Sequence, residues 1–235
     1  MLLELPPGTP AIYYHEINFI VEVISIITFF VVAGILFVRK EGELDIARRI
    51  KIGYAFFTIF YAMCRIFFIV AVWYPDETWS TDSYDFFVVI GYFFACVGLT
   101  AMILVIEKYL ITKTRHVFTI IGIVMCVVYF LSILGILTQH VALLLSYVSS
   151  PLLTVVMVAL YLYLAVKGAA ELRRKAIAIL VAIALIGVSA IVDGESMVIN
   201  AGALLSGQDL ILDLYYSIPP VILMIGILIF LKNTY

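Results

Sequence analysis

Charge is scarce in this sequence. Asp, Glu, Lys and Arg make up 13% of the 235 residues, while 65% are apolar. A water-soluble domain carries about a quarter charged and half apolar residues. The deficit, with a mean hydropathy of +1.19, points to a polytopic membrane protein. Cysteine is scarcer still. Cys64, Cys96 and Cys126 all lie inside apolar runs, and an odd number so placed argues against a disulfide framework. They read as small packing residues. The histidines, His15, His116 and His140, are scattered, so no clustered metal site is expected. There is no Gly-rich phosphate loop, no Gly-x-Ser-x-Gly and no His-Glu-x-x-His. The N-terminal residues lack the basic lead and apolar core of a signal peptide, so the first span is expected to direct insertion. These absences predict a non-enzyme without metal, cofactor or nucleic-acid partner.

What is present is a series of apolar runs long enough to cross a bilayer, at about 16–38, 51–74, 84–106, 117–137, 142–166, 176–200 and 211–232. They predict an all-α fold, a single seven-helix transmembrane bundle over 1–235. The sixth run is also compatible with a stop near Asp193, leaving Ser196 to Leu205 as a short outer helix or re-entrant piece. The remaining basic residues flank alternate connections: Arg39, Lys40, Arg48, Arg49 and Lys51; Lys108, Lys113 and Arg115; Lys167, Arg173, Arg174 and Lys175; and Lys232. By the positive-inside rule these ends are cytoplasmic and the N-terminus is outside. The other side carries Glu4, Asp76, Glu77, Asp82 and Asp209. A multi-pass protein of the plasma membrane is expected. Pro151 and Pro219-Pro220 fall within spans and predict kinks.

Arg65 is the cation that breaks this pattern. It sits in Tyr61-Ala-Met-Cys-Arg65-Ile-Phe-Phe, about ten residues from the next surface, hence roughly 15 Å deep at helical rise. A cation there must face the bundle interior and be paired. Polar residues at helical spacing mark that interior: His15, Asn18, Glu22 and Ser25; Tyr54, Thr58, Tyr61 and Arg65; Asp85, Tyr92, Cys96 and Thr100; Ser146, Ser150 and Thr154; Ser189, Asp193, Ser196 and Asn200; Asp209, Asp213, Tyr216 and Pro220. Glu22, Asp85, Asp193, Asp213 and Arg65 belong to the outer half. Glu22 is the first choice of partner for Arg65, with Asp193 and Asp213 next. The candidate cavity is Glu22, Tyr61, Arg65, Asp193, Asn200, Asp213 and Tyr216. Its acids outnumber its cation, which suits a small cationic ligand. The same residues also fit a structural ion-pair network.

The seventh span has only Lys232, at its end, and so lacks the mid-span lysine that a retinal Schiff base requires. Glu107-Lys108-Tyr109 resembles the acid-Arg-Tyr triplet of G-protein-coupled receptors, with Lys in the middle and without paired outer cysteines or an Asn-Pro-x-x-Tyr segment. Glu107 and Lys108 otherwise read as an interfacial helix end. The run from Ile106 to Arg115, with Tyr61-x-x-x-Arg65, resembles uncharacterised archaeal seven-helix membrane proteins. That resemblance implies a fold and no activity. Three functions remain: a receptor-like or sensory protein that signals through a separate cytoplasmic or membrane partner, a cation- or proton-linked transporter or channel, and a structural subunit. For the last, Gly91 and Gly98, seven apart, offer a small-residue face, unless they simply pack internally. The lipid bilayer is the partner common to all three.

Overall fold

An apolar segment surrounded by lipid must satisfy its own backbone, which leaves the helix as the local solution. The structure, a computed structural model, describes residues 16–38, 44–73, 81–168, 170–192 and 209–234. Among them run seven α-helices: α1 (Glu16–Phe37), α2 (Asp45–Trp73), α3 (Thr81–Tyr109), α4 (Val117–Ile133), α5 (Gln139–Lys167), α6 (Ala170–Val192) and α7 (Asp209–Thr234). A 3-10 turn at Thr112–Thr114 joins α3 to α4. Lys108, Lys167 and Lys232 occupy the last turns of α3, α5 and α7, where a cation offsets the negative end of the helix dipole. The buried Lys51 extends its Nζ toward the Val38 carbonyl just past α1, at 3.5 Å.

Among the described residues, five segments are long and apolar enough to cross a membrane: Ile17–Phe37, Asp45–Ala71, Ser83–Tyr109, Gln139–Lys167 and Asp213–Thr234. Val117–Ile133 is apolar and shorter. α6 carries Arg173, Arg174 and Lys175 near its start. By these helices the chain is a multi-pass helical membrane protein. Its surface agrees: Ile20, Ile24, Ile27 and Val31 of α1 and Ile120, Val124 and Val127 of α4 are exposed, while Asn18, Glu22, Ser25, Thr58, Arg65 and Asp213 are buried. Apolar patches of this extent would face water only at a binding site, and here they suit lipid.

Sequential helices pack against each other, and α7 returns to pack against α1. α3 also touches α5, so α4 lies outside a ring formed by α1, α2, α3, α5, α6 and α7. Gly91 and Gly98 are buried against Phe68 and Phe60 of α2, which they admit to close range. Of the two uses open to this small-residue face, a partner or internal packing, the structure shows the internal contact. α5 and α7 continue as helices through Pro151 and Pro219-Pro220. Ser189 of α6 donates a hydrogen bond to the Pro219 carbonyl at 2.7 Å.

One half of the ring interior, toward the end bearing the basic residues, is filled by aromatic side chains. Tyr54 of α2 and Tyr161 of α5 share a hydroxyl hydrogen bond of 2.5 Å across the ring. Phe230 of α7 stands edge-on to Tyr54, with ring centroids 5.0 Å apart. Thr58 is also buried, its hydroxyl donating to the Ala55 carbonyl. Polar groups thus continue toward the basic end, each with a partner inside the bundle.

Candidate functional site

The opposite half of the interior is lined by α1, α2 and α7. Asn18, Glu22 and Ser25 succeed each other at helical spacing, so one face of α1 presents all three inward. On α2, Arg65 follows Tyr61 by one turn. Antiparallel packing of α1 on α2 brings Arg65 to Glu22. The guanidinium binds the carboxylate through two nitrogens: Nε donates to Oε2 at 3.2 Å, and Nη2 pairs with Oε1. Both side chains are buried, at 9% and 6% exposure. A planar fork against a carboxylate is the strongest geometry open to such a pair. Tyr61 stacks on Phe29 of α1, centroids 5.3 Å apart at 19°, which steadies the α1–α2 seam beneath the pair.

Asp213 does not meet Arg65. Near the start of α7, its carboxylate accepts the backbone N–H groups of Asn18 at 2.9 Å and Ile17 at 3.3 Å. These belong to the first turn of α1, whose N–H groups have no partner within their own helix. Tyr216, one turn further along α7, is buried at 4% exposure. Asp193 and Asn200 lie outside the described residues, as do Ser196, His15 and the 196–205 segment expected as an outer helix. Of the seven candidate residues, the structure thus places Glu22 with Arg65, Tyr61 beside them, and Asp213 and Tyr216 on the facing helix.

Two atoms stand out in this region. Asn18 Oδ1 and Ser25 Oγ are enclosed and have no hydrogen-bond partner among the described residues. Asn18 is 2% exposed and Ser25 fully buried. An unpaired buried acceptor costs about 1–3 kcal/mol. Both atoms lie on the helix face that carries Glu22. Arg65 pairs with Glu22, and among the described residues Asp213 faces the positive end of α1, worth roughly half a positive charge. Two carboxylates, one guanidinium and two vacant acceptors thus line the described part of the site.

A third buried carboxylate lies outside the candidate cavity. Glu107 was expected at an interfacial helix end, yet it is 1% exposed. It accepts Thr119 N–H at 2.8 Å, Phe118 N–H at 3.3 Å and the Thr119 hydroxyl at 2.5 Å. The reason is local. His116, before α4, has a left-handed backbone with φ of 63° and makes no side-chain cap, so α3 supplies the acceptor. On α5, Ser149 shares a hydroxyl hydrogen bond of 2.7 Å with Tyr129 of α4.

No protein-family model, curated protein or solved structure matches the chain.

Proposed function

We propose that this chain is a receptor-like seven-span membrane protein that binds a small cation of the ammonium or amine class between α1, α2 and α7. The observation that carries the reading is the pair of vacant buried acceptors, Asn18 Oδ1 and Ser25 Oγ, flanking Glu22 on one helix face. An ammonium group supplies N–H donors and positive charge together. Asn18, Glu22, Asp213, Tyr61 and Tyr216 would surround it, with Arg65 holding Glu22 in place. Asp193 and Asn200 extend the same proposed site.

In this reading α6 is the additional span and α4 a short one. The N-terminus faces outward, and the end bearing Arg48, Arg49, Lys113, Arg115 and Arg173 to Lys175 faces the cytoplasm of a plasma membrane. Ligand entry shifts α1 against α7, and a separate partner reads the shift at the basic end. The Tyr54–Tyr161 bond with Phe230 closes the interior there, which favours signalling over passage. A second reading, cation- or proton-linked transport, draws on Thr58, Tyr54 and Tyr161, which extend the polar interior beyond Ser25.

The test is thermal unfolding of the protein in detergent against a panel of amines and alkali cations. A binder at a hundred times its Kd adds about 2.7 kcal/mol of stability. The shift is expected in the parent and in Asp193→Asn at reduced size, and to vanish in Asn18→Leu and Glu22→Gln. If no amine shifts the parent, and Asn18→Leu is simply more stable, the binding proposal is wrong. Amine flux into proteoliposomes would turn the assignment to transport.

A further inference from the structure

Two of the three cysteines, expected only to fill space, are in contact. The Cys126 thiol of α4 donates to Cys96 Sγ of α3, with the sulfurs 3.3 Å apart. Thr100 Oγ1 lies 3.8 Å from Cys126 Sγ, and the Cys96 thiol points at the Gly122 carbonyl, also at 3.8 Å. The close approach is built into the helix pair, because a methyl group at Gly122 would collide with the Thr100 side chain. A disulfide bond is about 2.05 Å long, so side-chain rotation closing roughly 1.3 Å separates contact from bond. Cys96 is buried and Cys126 half-buried. α4 lies outside the helix ring, with its exposed apolar side chains toward lipid. Cys64 is a separate buried thiol on α2.

We infer that Cys96 and Cys126 form a reversible disulfide site, oxidised by hydroperoxides dissolved in the surrounding bilayer, that pins α4 to α3. Cys126, the more accessible sulfur, attacks the outer peroxide oxygen as its own proton is transferred to the departing alkoxide. The O–O bond breaks, an alcohol leaves, and Cys126 becomes a sulfenic acid. The Cys96 sulfur then attacks the Cys126 sulfur. Its proton leaves with the hydroxyl group as water, and the S–S bond forms. Overall two thiols lose two hydrogens, and one hydroperoxide is reduced to alcohol and water. A cleft of about 10 Å³ lined by Cys96, Tyr92, Tyr129, Ser149 and Leu153 borders the reacting sulfur. A dithiol reverses the bond by exchange.

The experiment uses the full chain in lipid nanodiscs and tert-butyl hydroperoxide as the probe. After treatment, denaturation and maleimide labelling, the three labelled cysteines of the untreated protein should fall to one, at Cys64. Peptide mass analysis should show the segments holding Cys96 and Cys126 joined and two hydrogens lighter, and dithiothreitol should restore full labelling. In Cys96→Ser, Cys126 should gain oxygen without forming any cross-link. Because the main readout is on the parent protein, it does not depend on a variant folding. Persistent labelling of all three cysteines would overturn the inference. So would a link through Cys64, or oxygen added to Cys126 of the parent without a link to Cys96.

Discussion

The carboxylate of Asp213, near the start of the last helix, receives the backbone N–H of Asn18, in the first turn of the first helix, across 195 positions of sequence. It does for α1 what a capping residue ordinarily does from the adjacent position. Asp213→Ala removes that acceptor, and a lost cap costs about 0.5–2 kcal/mol. Asp213→Asn keeps one oxygen and should lose about half as much. Thermal unfolding in detergent, with hydrogen exchange at Ile17 and Asn18, would check both. Exchange unchanged by the alanine substitution would refute the capping role.

Glu22 and Arg65 should behave as a buried pair. Removing either partner takes a two-nitrogen ion pair from the other, and breaking a buried pair costs about 3–5 kcal/mol, whereas replacing both by apolar residues of similar size is close to neutral. Arg65→Met and Glu22→Leu should therefore each destabilise strongly, and the double variant should recover most of the loss. A double-mutant cycle on melting temperature measures this coupling. Additive losses would show that the contact carries no stability.

Glu107 should matter to α4 in particular. Glu107→Ala leaves the N–H groups of Phe118 and Thr119 without their acceptor, a loss of about 1–2 kcal/mol. Glu107→Gln should keep part of the cap, and Thr119→Val should cost less than either. Faster amide exchange confined to the first turn of α4 is the expected signature.

Tyr54 and Tyr161 give the fourth prediction. Either phenylalanine substitution leaves one buried hydroxyl unsatisfied, at about 1–3 kcal/mol, while the double substitution is expected to be nearly neutral. If the pair also acts as a closure, the double variant should admit amines into proteoliposomes faster than the parent. Equal flux would leave the pair a purely structural bond.

Arg65 could be assigned to the interior from sequence because a deep cation has few alternatives, and Glu22 followed because a short connection joins the first two spans and both residues lie below the outer surface. A short connection also joins α3 to α4, so the contact of Cys96 with Cys126 was within reach of the sequence too. Asp213 is different. Its position depends on α7 returning to α1, and no spacing within either segment encodes which helices become neighbours. Glu107 stands at the helix end expected of it, but its capping role depends on the left-handed backbone at His116, a conformation that a histidine does not announce. Gly91 and Gly98 were correctly noticed as a face, but composition alone does not say whether such a face meets a partner or the next helix.

The seam between α1 and α7 has a consequence for biosynthesis. The ring is shut by its first and last members, so it stays open until the ribosome has delivered α7. Through that interval the first turn of α1 lacks the Asp213 carboxylate, while the Glu22–Arg65 pair is available as soon as α2 arrives. The nascent chain would then enter the bilayer as an arc with one exposed polar edge. Insertion factors that shelter polar helix faces would be needed longest by α1, which waits for its partner on α7.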